Sequence, residues 1–385
     1  MTPLFFYGTL CHLPLLEVVL GRPVEAASLV PATLSGHAVY WADGHSFPIV
    51  QAAPSQEAHG LLLADLTNDE VARLSFYEDG FGYDLKPVSV NTPDGPRIAQ
   101  VYFPHDGLWQ PGAPWSLNDW VRDWGFMTVE TAKDFMRQCG QTAAERAQAI
   151  WPFLLARGWA RQMAQTPAAA TLRSDAGRDA VEIRERPGGF EGFFALRSFD
   201  VRFRRFDRTM SAWMPREVFV AFDAALVLPY DPQADTVLLI EQMRNGPVFR
   251  GDPHPWVLEP VAGLVDAGED PELCARREAR EEADITLGHV EKMCQVYAAP
   301  GYTTEYFHCF VGLADLDRAS GQIGGLDDEH EDIRSHIIGF DHAMALVDSG
   351  EINAGPLVMM LLWLARHHDR LRAMPRQAQP TGPVG

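Results

Sequence analysis

Residues 263–285 read GLVDAGEDPELCARREAREEADI, and the rest of the chain is best read outward from them. Glu278 and Glu282 stand one helical turn apart, so on a helix both carboxylates share a face. Glu281 widens that face. Three carboxylates on one face repel each other, and a hard divalent cation with oxygen ligands, Mg²⁺ above all, relieves the repulsion. A carboxylate-held Mg²⁺ that also grips phosphate oxygens serves chemistry on phosphate esters and anhydrides.

Gly263, Glu269, Arg277, Glu278, Glu281 and Glu282 at these offsets resemble the Nudix box, the loop–helix–loop signature of nucleoside diphosphate hydrolases. One position departs: Asp284 stands where the family has Gly. The family glycine ends the helix in a left-handed turn, a conformation Asp tolerates better than most residues. A solvated acidic helix face also clusters glutamates, but it does not require the whole set at fixed spacing behind an apolar strand.

The chain has 385 residues, room for two or three domains, and its 46% hydrophobic content supports packed cores. A net charge of −20 argues against a nucleic-acid binder, which needs a basic footprint. It leaves room for a phosphate-bearing small molecule, because a cation and a few arginines reverse the field locally. Cys11, Cys139, Cys274, Cys294 and Cys309 are odd in number and form no CxxC pair, as expected of reduced thiols in a cytoplasm. The opening MTPLFFYGTL is not built like a signal peptide, and no apolar run is long enough to span a bilayer, so no membrane partner is expected.

From the N-terminus, an apolar strand runs into Tyr7-Gly8-Thr9-Leu10, where Gly8 permits a tight turn that exposes amides to an anion or a carbonyl oxygen. Further strands are expected at 37–41, 60–65, 85–91 and 98–103, and a helix at 68–76 capped by Thr67 or Asn68. The YGTL opening, the segment 45–50 (HSFPIV), the strand at Gly60-Leu61-Leu62 and the Tyr77-Glu78 pair together resemble the gamma-glutamylcyclotransferase-like (AIG2-like) fold, a small β-barrel. That resemblance implies substrate binding by Tyr7, Gly8, Thr9 and Leu10. It also implies that Glu78 shuttles the proton that frees the substrate's amine to attack its γ-carbonyl. A carboxylate does such work only if burial raises its pKa. The alternatives are a loop carboxylate without duty and a non-catalytic binding or dimerisation module.

Helical spacing of Leu117, Trp120, Val121 and Trp124, and again of Phe135, Met136, Ile150, Phe153 and Leu154, predicts two or three helices over 115–165, with the Trp and Met stripes read as core. The alternating stretch 191–206 reads as a hairpin. Strands follow at 224–228 and 236–241, then at 293–298, 306–312 and 333–338, and a last helix at 354–371. The expected division is a barrel over 1–110, a helical extension over 111–166, a linker over 167–178, an α/β/α sandwich over 179–373 and a disordered tail over 374–385.

Blocks flanking the box, 241–244 (EQMR), 255–259 (PWVLE), Val261-Ala262-Gly263, Pro300-Gly301 with Glu305, and the acidic run 325–333, resemble the ADP-ribose pyrophosphatase subgroup over about residues 180–373. The resemblance implies that the Ala262 carbonyl and the carboxylates of Glu278, Glu282 and Glu331 hold Mg²⁺, with Mn²⁺ as an alternative. Glu329 would orient or deprotonate the attacking water, and Glu281 would support the cluster. Arg277 would pair with Glu269 or Glu281 to fix the ligands. Arg244 and Arg216 would meet phosphates or adenine, and Glu217 and Glu305 the adenine or ribose. In the family the residues at Arg216 and Glu217 come from the other subunit, which implies a domain-swapped homodimer. The products would be AMP and ribose 5-phosphate. GDP-mannose, another nucleotide sugar and NADH stay open as substrates.

Overall fold

The computed structural model describes residues 2–79, 81–168, 170–174, 176–316, 323–325 and 331–374. The chain divides into two compact units, Met1–Asp175 with Glu191–Phe193, and Ala176–Phe190 with Phe194–Gly385.

The first unit holds β1 (Thr2–Phe6), α1 (Leu13–Leu20), β2 (Leu29–Ala42), β3 (Pro48–Leu66), α2 (Asn68–Asp79), β4 (Tyr83–Thr92), β5 (Gly95–Pro104) and β6 (Pro111–Pro114). Its strands run in the order β3-β1-β5-β4-β2-β6, and β3 also pairs with β2, which closes the sheet into a barrel. Alternation along β1 divides the unit's interior, since successive side chains point to opposite faces. Phe5 and Tyr7 join Leu34, Val50, Leu62, Val90 and Val101 in one core, whereas Leu4 and Phe6 join the helices in another. Helix α2 opens on a capping box: Thr67 Oγ1 accepts from the Glu70 N–H at 3.3 Å, and Glu70 returns the bond to the Thr67 N–H at 2.7 Å. Apolar helix α1, which the strand-and-turn reading of the N-terminus passes over, buries Leu15, Leu16 and Val19.

Helices α3 (Leu117–Trp120), α4 (Phe126–Met136), α5 (Ala144–Gln148) and α6 (Trp151–Met163) follow, with a π-helical turn over Val121–Gly125. They belong to the same compact unit as the barrel, and Trp120, Phe135 and Leu154 share a core with Leu4 and Leu74.

The second unit contains β7 (Val181–Glu185), β8 (Phe190–Glu191), β9 (Ala195–Phe203), β10 (Met214–Val220), β11 (Asp223–Asp231), β12 (Thr236–Met243), α7 (Asn245–Arg250), β13 (Trp256–Glu259), β14 (Val261–Leu264), α8 (Pro271–Ala283), β15 (Val290–Tyr297), β16 (Tyr306–Leu313), β17 (Ile323–Gly324), β18 (Ile333–Gly339), α9 (Phe340–Ser349) and α10 (Gly355–Arg372). The stretch 191–206, expected as a hairpin, opens with one: β8 pairs with β9 across residues 192–194. Its second strand is longer than the first, and β9 is flanked by β7 and β10 in an antiparallel sheet.

The larger sheet runs β15-β16-β11-β12-β18-β17 among the described residues, with β13 on β12 and β14 on β11. Central strand β11 pairs in parallel with β16 and antiparallel with β14. Leu226, Leu228 and Tyr230 pack with Leu357, Leu361 and Leu364 of α10, while Ala225 and Val227 are equally buried on the opposite face. A strand covered on both faces reads as one apolar run, and ALVL does. Helix α8 packs on β11 and β14, and Cys274, Ala275 and Ala279 form its buried stripe. The part of the expected tail beyond residue 374 lies outside the described residues.

Candidate active sites

The box helix is set by its ends. Asp270 caps α8, accepting from the Glu272 N–H at 2.8 Å, and Pro271 follows at the first helical position, where a missing N–H costs nothing. At the other end Asp284 adopts φ 51°, ψ 40°, the left-handed turn for which the family uses Gly. Its N–H reaches the Arg280 carbonyl at 3.0 Å, and the Ile285 N–H reaches Ala279 at 2.9 Å, so the helix stops where the motif requires.

Strand β14 delivers Ala262 and Gly263 against this helix. Glu282 is buried, and its Oε2 accepts from the Ala262 N–H at 3.0 Å. Gly263 is required by close approach, because a Cβ there would lie within the Glu278 carboxylate. Arg277 serves as the hub. It bonds Glu278 at 2.6 Å, Glu281 at 2.9 Å, both oxygens of Glu269 at 3.1 Å and the Leu264 carbonyl at 3.2 Å. The two pairings expected for Arg277, with Glu269 or Glu281, are both made.

Burial pushes the Glu278 carboxyl up to about 7, against the pull of Arg277 and with Glu281 and Glu331 adding repulsion. Burial also pushes Glu282 well above its usual value; the Ala262 N–H opposes this, and Glu278 and Glu331 reinforce it. Glu331 therefore shares the field of Glu278 and Glu282, and its Cβ lies where a Cβ on Gly325 would meet it at 2.6 Å. Gly325 in turn donates to the Glu281 carbonyl at 3.3 Å. Glu329 lies outside the described residues. Among the described residues no three His, Cys, Asp or Glu side chains stand as a ready-made ion site, since Glu278 is turned onto Arg277.

Arg244 begins α7, and its Nε bonds Glu259 Oε2 at 2.6 Å. It also acts electrostatically on Glu282 and Glu305, opposing the upward push that burial gives each carboxyl. Arg244 thus pairs with one carboxylate, Glu259, and bears electrostatically on two others, Glu282 and Glu305. Glu259 went unassigned in the sequence because only the pairing of β12 with β13, Ile240 with Glu259 and Met243 with Trp256, brings it back to Arg244. Arg216 and Glu217 lie exposed on β10, opposite Phe199 and Ser198.

The first unit contains a cavity of about 380 Å³. Tyr7, Gly8, Thr9 and Leu10 line it together with Glu78, and aromatic rings make up most of the remaining wall. Gly8 has no room for a side chain, because Pro48 Cγ would lie 2.6 Å from a Cβ. Thr9 to Cys11 form a 3-10 turn whose first amides have no partner within the turn. Burial, with a contribution from Asp79, pushes the Glu78 carboxyl up to about 8. Trp120 and Trp151, from helices whose Trp spacing reads as core, also wall this cavity. Packing and lining are compatible here because a large ring has two faces.

Comparison with known proteins agrees with both halves of this geometry. The family profile described as NUDIX domain matches residues 221–357, and that described as Gamma-glutamyl cyclotransferase, AIG2-like matches residues 4–122. The chain is 41% identical over 196 residues to ADP-ribose pyrophosphatase of Escherichia coli (strain K12), covering 51% of this chain and 93% of the relative. It is 36% identical over 194 residues to ADP-ribose pyrophosphatase of Haemophilus influenzae, covering 50% of this chain and 89% of the relative. It is also 36% identical over 154 residues to GDP-mannose pyrophosphatase of Escherichia coli O1:K1 / APEC, covering 40% and 78%. With the box helix, its left-handed stop and the glutamates around Gly263 in place, the chain belongs to the Nudix hydrolase family and carries an AIG2-like gamma-glutamyl cyclotransferase domain ahead of its Nudix domain.

Proposed function

We propose that the second unit hydrolyses ADP-ribose to AMP and ribose 5-phosphate with a divalent cation, Mg²⁺ or Mn²⁺. The observation that carries this reading is the crowding of Glu278, Glu282 and Glu331: burial first, then mutual repulsion, raises the two box carboxyls, and a cation would relieve both. The donor set fits: three carboxylates and the Ala262 carbonyl are hard oxygens. When bound, such a cation neutralises diphosphate charge and polarises phosphorus toward attack.

The chain's own groups supply positioning and proton transfer. Arg277 fixes Glu278, which would hold the cation, and Glu281 beside it. The Ala262 amide fixes Glu282. Arg244, steadied by Glu259, presents positive charge to phosphate oxygens beside Glu305, which accepts from the ribose or adenine. Glu329 takes the proton of the attacking water. Arg216 and Glu217 contact the nucleoside across a homodimer. That arrangement is supported by the apolar side chains left exposed on the β7–β9–β10 sheet, Ile183, Leu196, Phe203 and Phe219. A cytoplasmic setting is supported by five free thiols. No helix among the described residues is long and apolar enough to cross a membrane.

The test is a hydrolysis screen of ADP-ribose, GDP-mannose and NADH with added Mg²⁺, alongside the Glu282→Gln variant. The reading expects ADP-ribose to turn over fastest, and Glu282→Gln to lose a factor of about a hundred or more while staying folded. Release of mannose 1-phosphate with no turnover of ADP-ribose would replace the substrate assignment. Separately, the buried Glu78 carboxyl in its cavity supports proton transfer by the first unit, and release of 5-oxoproline from γ-glutamyl compounds tests that role.

A further inference from the structure

Two of the five free thiols face each other across the larger sheet. Cys294 on β15 and Cys309 on β16 are directly opposed residues of an antiparallel pair. Cys309 is fully buried and Cys294 half-buried, both against the core that α10 shares, and the Met359 sulfur lies 4.0 Å from Cys294 Sγ. The Cys309 thiol is hydrogen-bonded to Cys294; burial first, then the Cys294 sulfur, pushes it up, so Cys309 keeps its proton. Cys11 and Cys274 differ, since their thiols donate to main-chain carbonyls, those of Phe6 and Leu264, each at 3.2 Å.

Opposed residues of an antiparallel pair have Cβ atoms about 4.5–5.5 Å apart, and a disulfide needs about 3.5–4.5 Å, so closure asks for an approach of about 1 Å. The register of β15 already breaks between Lys292 and Cys294, where the strand can give. The pair also heads one row across the sheet: Cys294 to Cys309, Cys309 to Leu226 on β11, and Leu226 to Ala262 on β14. The Ala262 N–H is the group that holds Glu282.

We infer that Cys294 and Cys309 form a peroxide-sensitive dithiol that closes reversibly to a cross-strand disulfide and, through this row, slows hydrolysis by the second unit. The half-buried Cys294, as its thiolate, attacks one peroxide oxygen; the O–O bond breaks, and a sulfenic acid and water form. The Cys309 sulfur then attacks the Cys294 sulfur, the S–O bond breaks, and hydroxide leaves with the Cys309 proton as a second water. Two thiols lose two electrons and two protons in all, and the peroxide takes them. An added dithiol reopens the bond by exchange. The disulfide rests on the strand register alone, and only its effect on turnover rests on the hydrolase reading of the second unit.

Peptide mapping of the full chain by mass spectrometry, after hydrogen peroxide and then alkylation, tests the inference, with turnover of ADP-ribose, GDP-mannose and NADH measured in parallel. A cross-linked peptide joining Cys294 to Cys309 is expected, with a severalfold loss of turnover. Dithiothreitol is expected to reverse both, and turnover by Cys294→Ser is expected to withstand peroxide. Oxidation of Cys294 to sulfinic acid without a cross-link, or cross-linking to another cysteine, would overturn the dithiol; the mapping decides this even when none of the three diphosphates is hydrolysed. A mapped bond with unchanged turnover, or an equal loss of turnover in Cys294→Ser, would overturn the link to the site.

Discussion

Arg277 Nη1 lies 2.6 Å from Glu278 Oε1, so one guanidinium restrains the carboxylate that the box would offer to a cation. The same guanidinium also holds Glu281, Glu269 and the Leu264 carbonyl. Lysine keeps the charge but not the planar fork that serves several acceptors at once. Arg277→Lys is therefore expected to lower kcat/KM for ADP-ribose by about tenfold to a hundredfold and to move the Mg²⁺ dependence to higher concentration. A Mg²⁺ titration at fixed substrate measures both. Unchanged half-saturation would remove Arg277 from ligand positioning.

Gly263 leaves the space that the Glu278 carboxylate fills. Gly263→Ala must displace that side chain or part β14 from α8. Overpacking of this kind costs roughly 1–3 kcal/mol, a fraction of domain stability. The variant should remain folded by circular dichroism yet lose most hydrolysis. Retained activity would place Glu278 outside the working site.

Glu259 bonds Arg244 at 2.6 Å, and Arg244 bears electrostatically on Glu282 and Glu305. Glu259→Gln should therefore raise KM for ADP-ribose more than it lowers kcat, because it loosens Arg244 without removing it. Arg244→Ala should do more than Glu259→Gln on both. Steady-state kinetics of the two variants and of the pair decide the point: effects that simply add would uncouple Glu259 from Arg244.

Burial raises the Glu78 carboxyl from 4.5 to about 8. The folded chain then holds a proton that the unfolded chain has released between these two values. Stability attributable to Glu78 is highest below about pH 4.5, falls as pH rises toward 8 and stays low above it. Glu78→Gln removes that dependence. It should raise the melting temperature of the first unit at pH 9 relative to wild type, through a stabilisation on the order of a few kcal/mol at most, and change it little at pH 5. Thermal melts at the two pH values provide the check, and an equal difference at both would mean that Glu78 ionises normally.

Asp284 occupies the left-handed region at φ 51°. Asp284→Ala should destabilise the second unit by about 1 kcal/mol, the cost of an ordinary Cβ in that conformation, whereas Asp284→Gly should cost little or nothing. Urea denaturation of the two variants separates them. Equal losses would show that the turn does not depend on its left-handed residue.

Local signals carried much of this protein's description. The 3.6-residue period and end signals of residues 263–285 determined the box helix, its proline start and its left-handed stop, because those depend on neighbours a turn away. Apolar segments bounded by Pro and Gly turns marked β2 to β5 and the central strands of the larger sheet, and the YGTL opening with Tyr77-Glu78 marked the barrel and its acid. Tertiary structure decided what depends on partners distant in the chain. Strand β9 became the centre of a sheet because β7 and β10 claim its two edges, which no local alternation can announce. Glu259 gained a role only when the chain following Arg244 returned as β13 to pair with β12. Trp109, Trp120 and Trp151 became walls around Glu78 because strand ends and helices far apart in sequence close on one space, and desolvation, the cause of the raised Glu78 carboxyl, exists only once that space is enclosed.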